Sequence, residues 1–224
     1  MVKPIVIFDM DGTLLDLAYD DLIWNQLLPI RYAETHQCTL EQSQATLFEF
    51  YQEHSHTLNW YSSRFWSAKV GVDVLALQQE HQHKVSLRGG CIELLEYLKA
   101  NQYLCWLATN ADCASLKFKL EQTGIAEYFD VIVSSETLGH AKEFPAFWEE
   151  LQLQHPFNIA QAYFIDDTEK VLLGAQKFGL QHLISIQQPS SIGLVRDESP
   201  FPMLKHLTDF IPLLEQAEEH KQYA

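Results

Sequence analysis

Positive charge is what this sequence has least of. Fifteen Lys and Arg stand against thirty Asp and Glu, a net charge of −15 over 224 residues. A field of that sign repels nucleic acid and anionic lipid, so neither is an expected partner, and an anionic substrate would need a local cation to enter. Long hydrophobic runs are missing too. No apolar stretch approaches the ~18 residues a membrane-spanning helix requires. The leading PIVIF runs straight into two aspartates, too soon for a secretory signal. Cysteine is sparse, and Cys38, Cys91, Cys105 and Cys113 share no CxxC spacing. Buried free thiols in a reducing compartment are therefore expected rather than a disulfide or zinc framework. Repeats and low-complexity tracts are also lacking. A soluble, cytoplasmic protein is the resulting expectation, and 47% apolar residues with 12% aromatics suffice for a full-sized folded core.

What is present is a series of short, continuous apolar runs: 4–8, 104–108, 130–133, 162–165 and 182–186. Such runs, without polar alternation, predict strands buried on both faces, as in a parallel sheet. Helical periodicity fills the intervals at 114–122, 144–153 and 170–178, with Gly124 and Gly179 placed to end two of the helices. Strand alternating with helix predicts an α/β doubly wound domain. About ninety residues separate the first two strands, far more than one crossover needs. From Leu17 to about Val85 the sequence reads helical, with weak breaks near Pro29, at Cys38–Thr39 and at Gly71–Val72. That pattern predicts an inserted cap of four helices, hinged near Asp16 and Gly89–Gly90. The expected division is a core of 1–16 plus 87–224 and a cap of 17–86. A last helix is expected over roughly 203–220.

Parallel sheets bind ligands at the carboxyl ends of their strands. After the first run comes Asp9-Met10-Asp11-Gly12-Thr13; after the second, Thr109-Asn110; after the third, Ser134-Ser135 and, further on, Lys142; after the fourth, Asp166-Asp167. Two carboxylate pairs facing each other require a cation between them, and an all-oxygen site suits Mg²⁺. Asp9, first past the strand, is placed as a nucleophile toward phosphorus, and Asp11 as the group that protonates the leaving oxygen and then activates water. Thr109 and Asn110 can bind phosphoryl oxygens beside the positive end of the following helix, and Lys142 supplies positive charge for the transition state. Asn110 can equally be a helix cap, and Asp166 or Asp167 can cap the helix that follows them.

The ordered set of Asp9-Met10-Asp11-Gly12-Thr13, Thr109, Lys142 and Asp166-Asp167 resembles the four motifs of the haloacid dehalogenase superfamily of phosphohydrolases. The helical insertion sits where that family carries its most common cap. The resemblance implies a Rossmann-like core and a Mg²⁺ ion held by the Asp9 carboxylate, the backbone carbonyl of Asp11 and the Asp167 carboxylate, with Asp166 acting from a layer further out or through water. It implies an aspartyl-phosphate on Asp9 and acid/base work by Asp11. Two departures stand out: Glu143 follows Lys142 where many relatives have Pro, which questions the loop's shape, and Val171 stands where a further acidic or amide residue is common. A narrower likeness, in Thr13–Asp20, His56–Tyr61, Lys142-Glu143 and Ile165-Asp166-Asp167, is to the bacterial GMP/IMP 5′-nucleotidases. It implies a purine nucleoside monophosphate as the small anionic substrate.

Other readings stay open. A phosphatase or mutase of phosphoglycolate or a sugar phosphate would use the same core, since the cap alone selects substrate. A receiver-like phosphoacceptor also pairs acidic residues with Thr and Lys, but is near half this length and orders them differently. A non-catalytic interaction protein would have no need of the intact set. In the cap, Trp24, Trp60, Tyr61, Phe65 and Trp66 can stack on a base and Arg64 can bond a base edge, although helical spacing favours core for most of them. His54, His56, His81 and His83 lack the companions of a metal site and read as surface residues.

Overall fold

The computed structural model describes residues 4–222. Six strands, β1 (Ile5–Phe8), β2 (Leu104–Thr109), β3 (Val131–Ser134), β4 (Tyr163–Ile165), β5 (His182–Ile186) and β6 (Met203–Leu204), form one sheet in the order β3-β2-β1-β4-β5-β6. Every pairing between them is parallel. The first five fall where the apolar runs place them, within a residue at each end. Their side chains alternate between two cores. Val6, Phe8, Cys105, Leu107, Ile165 and Ile184 face one, while Ile7, Trp106, Ala108, Phe164 and Leu183 face the other. Both faces are covered, so neither tolerates polar alternation.

Between β1 and β2 lie α1 (Ala18–Leu22), a π-helical turn (Ile23–Leu27), α2 (Leu28–His36), α3 (Leu40–His54), α4 (Ser63–Val70), α5 (Val74–Glu80) and α6 (Cys91–Ala100). Four helical runs precede α6, as expected, and the breaks near Cys38–Thr39 and at Gly71 fall as predicted, but the one at Pro29 does not. Pro29 does not interrupt the first run. The π turn just before it ends with Leu28 N–H bonded to Ile23, five residues back, and the widened turn accommodates a residue that lacks an N–H and crowds the preceding carbonyls. The real breaks come at Gln37, in left-handed conformation, at 55–62, and at Gly71. These helices bury a core of their own, including Leu28, Leu47, Trp66, Val70 and Leu77.

After β2 come α7 (Cys113–Thr123), α8 (Ser135–Leu138), α9 (Pro145–Gln154), α10 (Glu169–Phe178) and α11 (Phe210–Gln222). α6, α7 and α11 cover one sheet face, and α8, α9 and α10 the other. The last helix starts at Phe210, not near 203, because Met203–Leu204 pair with Ser185–Ile186 as an edge strand. Two linkers join the inserted helices to the sheet, and they run side by side. Leu15 bridges Leu87, Asp16 N–H bonds Ser86, and Arg88 N–H bonds Leu14.

The four cysteines are free, as expected, but only Cys91 and Cys105 are buried; Cys38 is half-buried and Cys113 exposed. No described helix is long and apolar enough to cross a membrane.

Candidate active site

The sheet order reverses at β1, where the chain leaves for β2 and β3 and returns on the other side as β4. That reversal opens a crevice at the strand ends. Asp9 N–H continues the ladder onto Ile165, and Asp166 N–H onto Ile184, so the two acidic segments are held side by side by backbone. Gly12 makes the approach possible. Its φ is +84°, and a Cβ there would lie 2.7 Å from Asp167 Cγ, so only glycine allows the turn and the carboxylate to meet.

Asp9, Asp166 and Asp167 are all buried, with one oxygen of each within 4.8 Å of the others. Lys142 completes the cluster. Its ammonium, 1% exposed, lies 2.5 Å from Asp9 Oδ1 and 2.7 Å from Asp166 Oδ2. Asp166 Oδ1 accepts Thr168 N–H, so both Asp166 oxygens are engaged. Thr109 closes β2 inside the same cavity, its Oγ1 accepting Ala111 N–H.

Burial dominates the electrostatics. It raises Asp9 from 3.8 to about 7 against the pull of Lys142, with Asp166 and Asp11 adding to the rise. Burial likewise raises Asp166 to about 6 and Asp167 to about 7. For Lys142 burial works downward, but Asp166 and Asp9 more than offset it and hold the ammonium above the ordinary lysine range.

Where Glu143 stands in place of a proline, hydrogen bonds hold the Lys142 loop. Lys142 N–H donates to Asn110 Oδ1 at 2.9 Å, Asn110 Nδ2 donates to Glu143 Oε2 at 3.0 Å, and Trp148 Nε1 donates to the Lys142 carbonyl. Asn110 does not cap α7, whose N-cap is Asp112. Both ends of the Asn110 amide brace the loop. The end of α7 also differs from expectation, because carboxylates already occupy it: Asp112 accepts Ser115 N–H and Glu136 accepts Cys113 N–H. Ser134 and Ser135 donate to the carbonyls of Ala111 and Asn110 and support the same turn. From below, α10 presses on the loop at Gly174, where a Cβ would sit 2.4 Å from the Glu143 carbonyl oxygen. Gly174→Ala is expected to destabilise the protein by ~1–3 kcal/mol through overpacking and to lower turnover by displacing Lys142. An unchanged melting temperature with full activity would show that the loop yields freely.

The cavity at these strand ends measures about 350 Å³ and extends to the inserted helices, within the usual range for small-ligand sites. Six carboxylates (Asp9, Asp11, Asp20, Asp21, Asp166 and Asp167) and two ammonium groups (Lys119 and Lys142) line it. Among the aromatics, Trp24, Tyr51, Trp60, Tyr61 and Trp66 line it, and all but Tyr61 also belong to the helical core or pack against it. Arg64 does not. It is exposed and belongs to a separate depression with Asp112 and Glu136. Phe65 packs edge-on against His54 and Trp66 instead. The histidines contribute no group to the carboxylate cluster, although His56 lies 3.7 Å from Glu143.

Several side chains that the sequence reading gave no role lie here, among them Asp20, Asp21 and Tyr51. Lys119 reaches the cavity from α7 and touches Asp11 and Asp20. Its signal was a lysine on the buried stripe formed with Ser115 and Leu116. Glu143, nearly buried, accepts the Tyr61 hydroxyl from the helical insertion. Arg196 donates to the backbone carbonyl of Asp167 from a segment with no pattern to reveal it.

Residues 6–184 match the family model described as haloacid dehalogenase-like hydrolase. The chain belongs to this family. It is a hydrolase of phosphoric monoesters, as the motif order implied. It is 34% identical to the GMP/IMP nucleotidase YrfG of Escherichia coli over 209 residues, covering 93% of this chain and 94% of that one. It is 26% identical to the probable phosphatase IndB of Dickeya dadantii, over 80% and 79% of the two chains. Among solved structures, a HAD phosphatase from Thermococcus onnurineus superposes with a TM-score of 0.79 over 94% of this chain and 97% of the other. At 18% identity that likeness concerns the fold. In this hydrolase Asp9, Thr109, Lys142, Asp166 and Asp167 line one cavity.

Proposed function

We propose that this hydrolase removes the phosphate from purine nucleoside 5′-monophosphates, GMP and IMP foremost, through a phosphoryl group carried on Asp9. The observation that carries the reading is a single cavity shared by Asp9, Thr109 and Lys142 and by the rings of Trp24, Tyr51, Trp60 and Tyr61. The first set suits a phosphate and the second a flat aromatic base. The likeness to the GMP/IMP nucleotidase over 93% of the chain supports the same choice.

In this mechanism the Asp9 carboxylate attacks phosphorus in line with the leaving oxygen, and the P–O bond to the nucleoside breaks as the Asp9–phosphorus bond forms. Asp11 gives the departing oxygen its proton. Asp11 then takes a proton from a water, whose oxygen attacks phosphorus, frees inorganic phosphate and restores the Asp9 carboxylate. Lys142, fixed by Asp166, balances charge on the phosphoryl oxygens, and Thr109 donates its hydroxyl to one of them. Residues 17–86 serve as the cap, excluding water once substrate is bound. The terminal stretches 1–3 and 223–224 of the core's proposed range lie outside the described residues.

The donor set fits a hard divalent cation. Asp9 and Asp167 offer buried oxygens at close range, Asp167 with no ammonium bonded to it among the described residues, while burial holds both protonated more readily than a free carboxylate. Mg²⁺ held by Asp9, Asp167 and the Asp11 carbonyl would screen the nucleophile from the phosphoryl oxygens. A pH dependence follows. Each of these carboxylates binds its proton more tightly folded than unfolded, so the metal-free protein loses stability as pH rises from the unfolded value of 3.8 through about 7. Added Mg²⁺ is expected to raise the melting temperature much more at about pH 8 than at about pH 5. Equal shifts at both would remove these aspartates from the metal site.

The deciding experiment is phosphate release by the purified protein with Mg²⁺ across GMP, IMP, AMP, UMP, phosphoglycolate and hexose phosphates, with Asp9→Asn as blank. Preference for GMP and IMP is expected. Preference for a glycolate or sugar phosphate would keep the chemistry and overturn the nucleotide assignment.

A further inference from the structure

Lys119 is a buried cation that the mechanism above does not use. It projects from the middle of α7, beside Leu116 and Phe118 of the sheet-facing core, and its side chain is 2% exposed. Placing an ammonium there costs several kcal/mol of desolvation, which good partners have to offset. It has two. Nζ lies 2.7 Å from Asp11 Oδ1, and 2.9 and 3.0 Å from the two oxygens of Asp20. An ammonium has three hydrogens, and three oxygens surround this one.

The partners come from separate parts of the chain. Asp11 belongs to the turn after β1, Asp20 to α1 at the start of the inserted helices, and Lys119 to the core. Asp11 Oδ1 is occupied by Lys119, while Oδ2 accepts no hydrogen bond from the described residues and Asp11 lines the cavity. A carboxylate tethered through one oxygen keeps the other at a fixed place, and displacement of a reacting group by about 1 Å can reduce a rate ~10²-fold.

We propose that Lys119 is the positioning residue of Asp11, and that Asp20, by holding the same ammonium from α1, makes this alignment depend on the docked cap. The proposal rests on the acid role given to Asp11 above. It concerns delivery of a proton to the leaving oxygen, so its effect depends on the leaving group. A nucleoside alkoxide needs that proton, whereas p-nitrophenolate leaves without it.

The test compares kcat/KM for GMP and for p-nitrophenyl phosphate, with Mg²⁺, in Lys119→Met, Asp20→Asn and Asp11→Asn. kcat/KM reports the steps through leaving-group departure. Asp11→Asn is expected to lower the GMP value ~10²–10³-fold, the scale of general acid catalysis, and the nitrophenyl value far less. Lys119→Met is expected to reproduce that selectivity with a ~10–10²-fold loss on GMP, and Asp20→Asn to show it in the same direction at several-fold. Should Lys119→Met fail to fold, Asp20→Asn, which keeps shape, decides alone. Equal losses on both esters in the Lys119 and Asp20 variants, beside a selective loss in Asp11→Asn, would overturn the proposal and leave the mechanism standing. Equal losses in Asp11→Asn itself would remove the acid role from Asp11 and the proposal with it. If the native enzyme accepts the nitrophenyl ester but not GMP, another alkyl phosphate that it hydrolyses takes the place of GMP and the same comparison applies.

Discussion

Asp9→Asn is expected to give a folded protein whose turnover falls on the order of 10⁴-fold or more, the scale on which loss of a covalent nucleophile acts. The amide keeps the shape of the side chain but has no charge with which to attack phosphorus. Folding should not suffer. Burial already disfavours the Asp9 charge, raising the group to about 7, so replacing it with a neutral amide removes an unfavourable buried charge at alkaline pH. Lys142 retains Asp166 as partner at 2.7 Å. Thermal melts and phosphate release on the same preparation separate the two effects. Turnover within ~10-fold of the native enzyme would rule out a phosphoryl group carried on Asp9.

Lys142→Met is expected to damage both stability and turnover, with a diagnostic pH dependence. The ammonium sits between two buried carboxylates, at 2.5 Å from Asp9 and 2.7 Å from Asp166. Removing one partner of such a cluster leaves uncompensated charge, at a cost of ~3–5 kcal/mol. The cost should shrink in acid. Asp9 and Asp166, raised by burial to about 7 and about 6 with Lys142 present, lose the group that pulls them down and take up protons still more readily without it. The melting temperature of the variant should therefore fall steeply at about pH 8 and much less at about pH 5. Adding Asp166→Asn to Lys142→Met should restore much of the stability without restoring turnover, because the charge defect is relieved but the cation that balances the phosphoryl oxygens is still missing. An equal loss of melting temperature at both pH values would show that lost packing, not stranded charge, is what the variant suffers.

Both effects concern residues that local sequence pattern marks. Asp9 and Asp166 each follow an apolar run of three to five residues, and an apolar run without alternation can lie only where both sheet faces are covered. Lys142 was marked by its order in the chain relative to those runs. Lys119, Glu143 and Asp20 carried no such mark, since their partners lie 108, 82 and 99 positions away in Lys119–Asp11, Glu143–Tyr61 and Asp20–Lys119. Composition and periodicity describe a residue's neighbours along the chain and say nothing of contacts at that range. Asn110 shows a second role that local pattern does not reveal. Its place beside Thr109 suggested a phosphate ligand, while its amide closes on Lys142 and Glu143, which only the folded loop brings within reach.

The helical insertion divides in the same way. Its length and helical composition were enough to predict the four helical runs that precede α6. The breaks were misplaced at Pro29, because a proline's effect depends on whether the preceding turn can widen, and here Ile23–Leu27 do so. The strand ending near 204 was hidden because two residues leave no period to read; its pairing with β5 alone defines it.

By itself, then, the sequence determined the doubly wound sheet, the insertion and the set of acidic, hydroxyl and ammonium groups at the strand ends, since each depends on hydrophobic period and on position relative to a strand. Tertiary structure alone decided which carboxylates share a cation, which aromatics line the cavity and which pack behind it, and how the inserted helices reach Asp11. Those are matters of distance through space between residues remote in sequence, and burial then sets how strongly their charges interact.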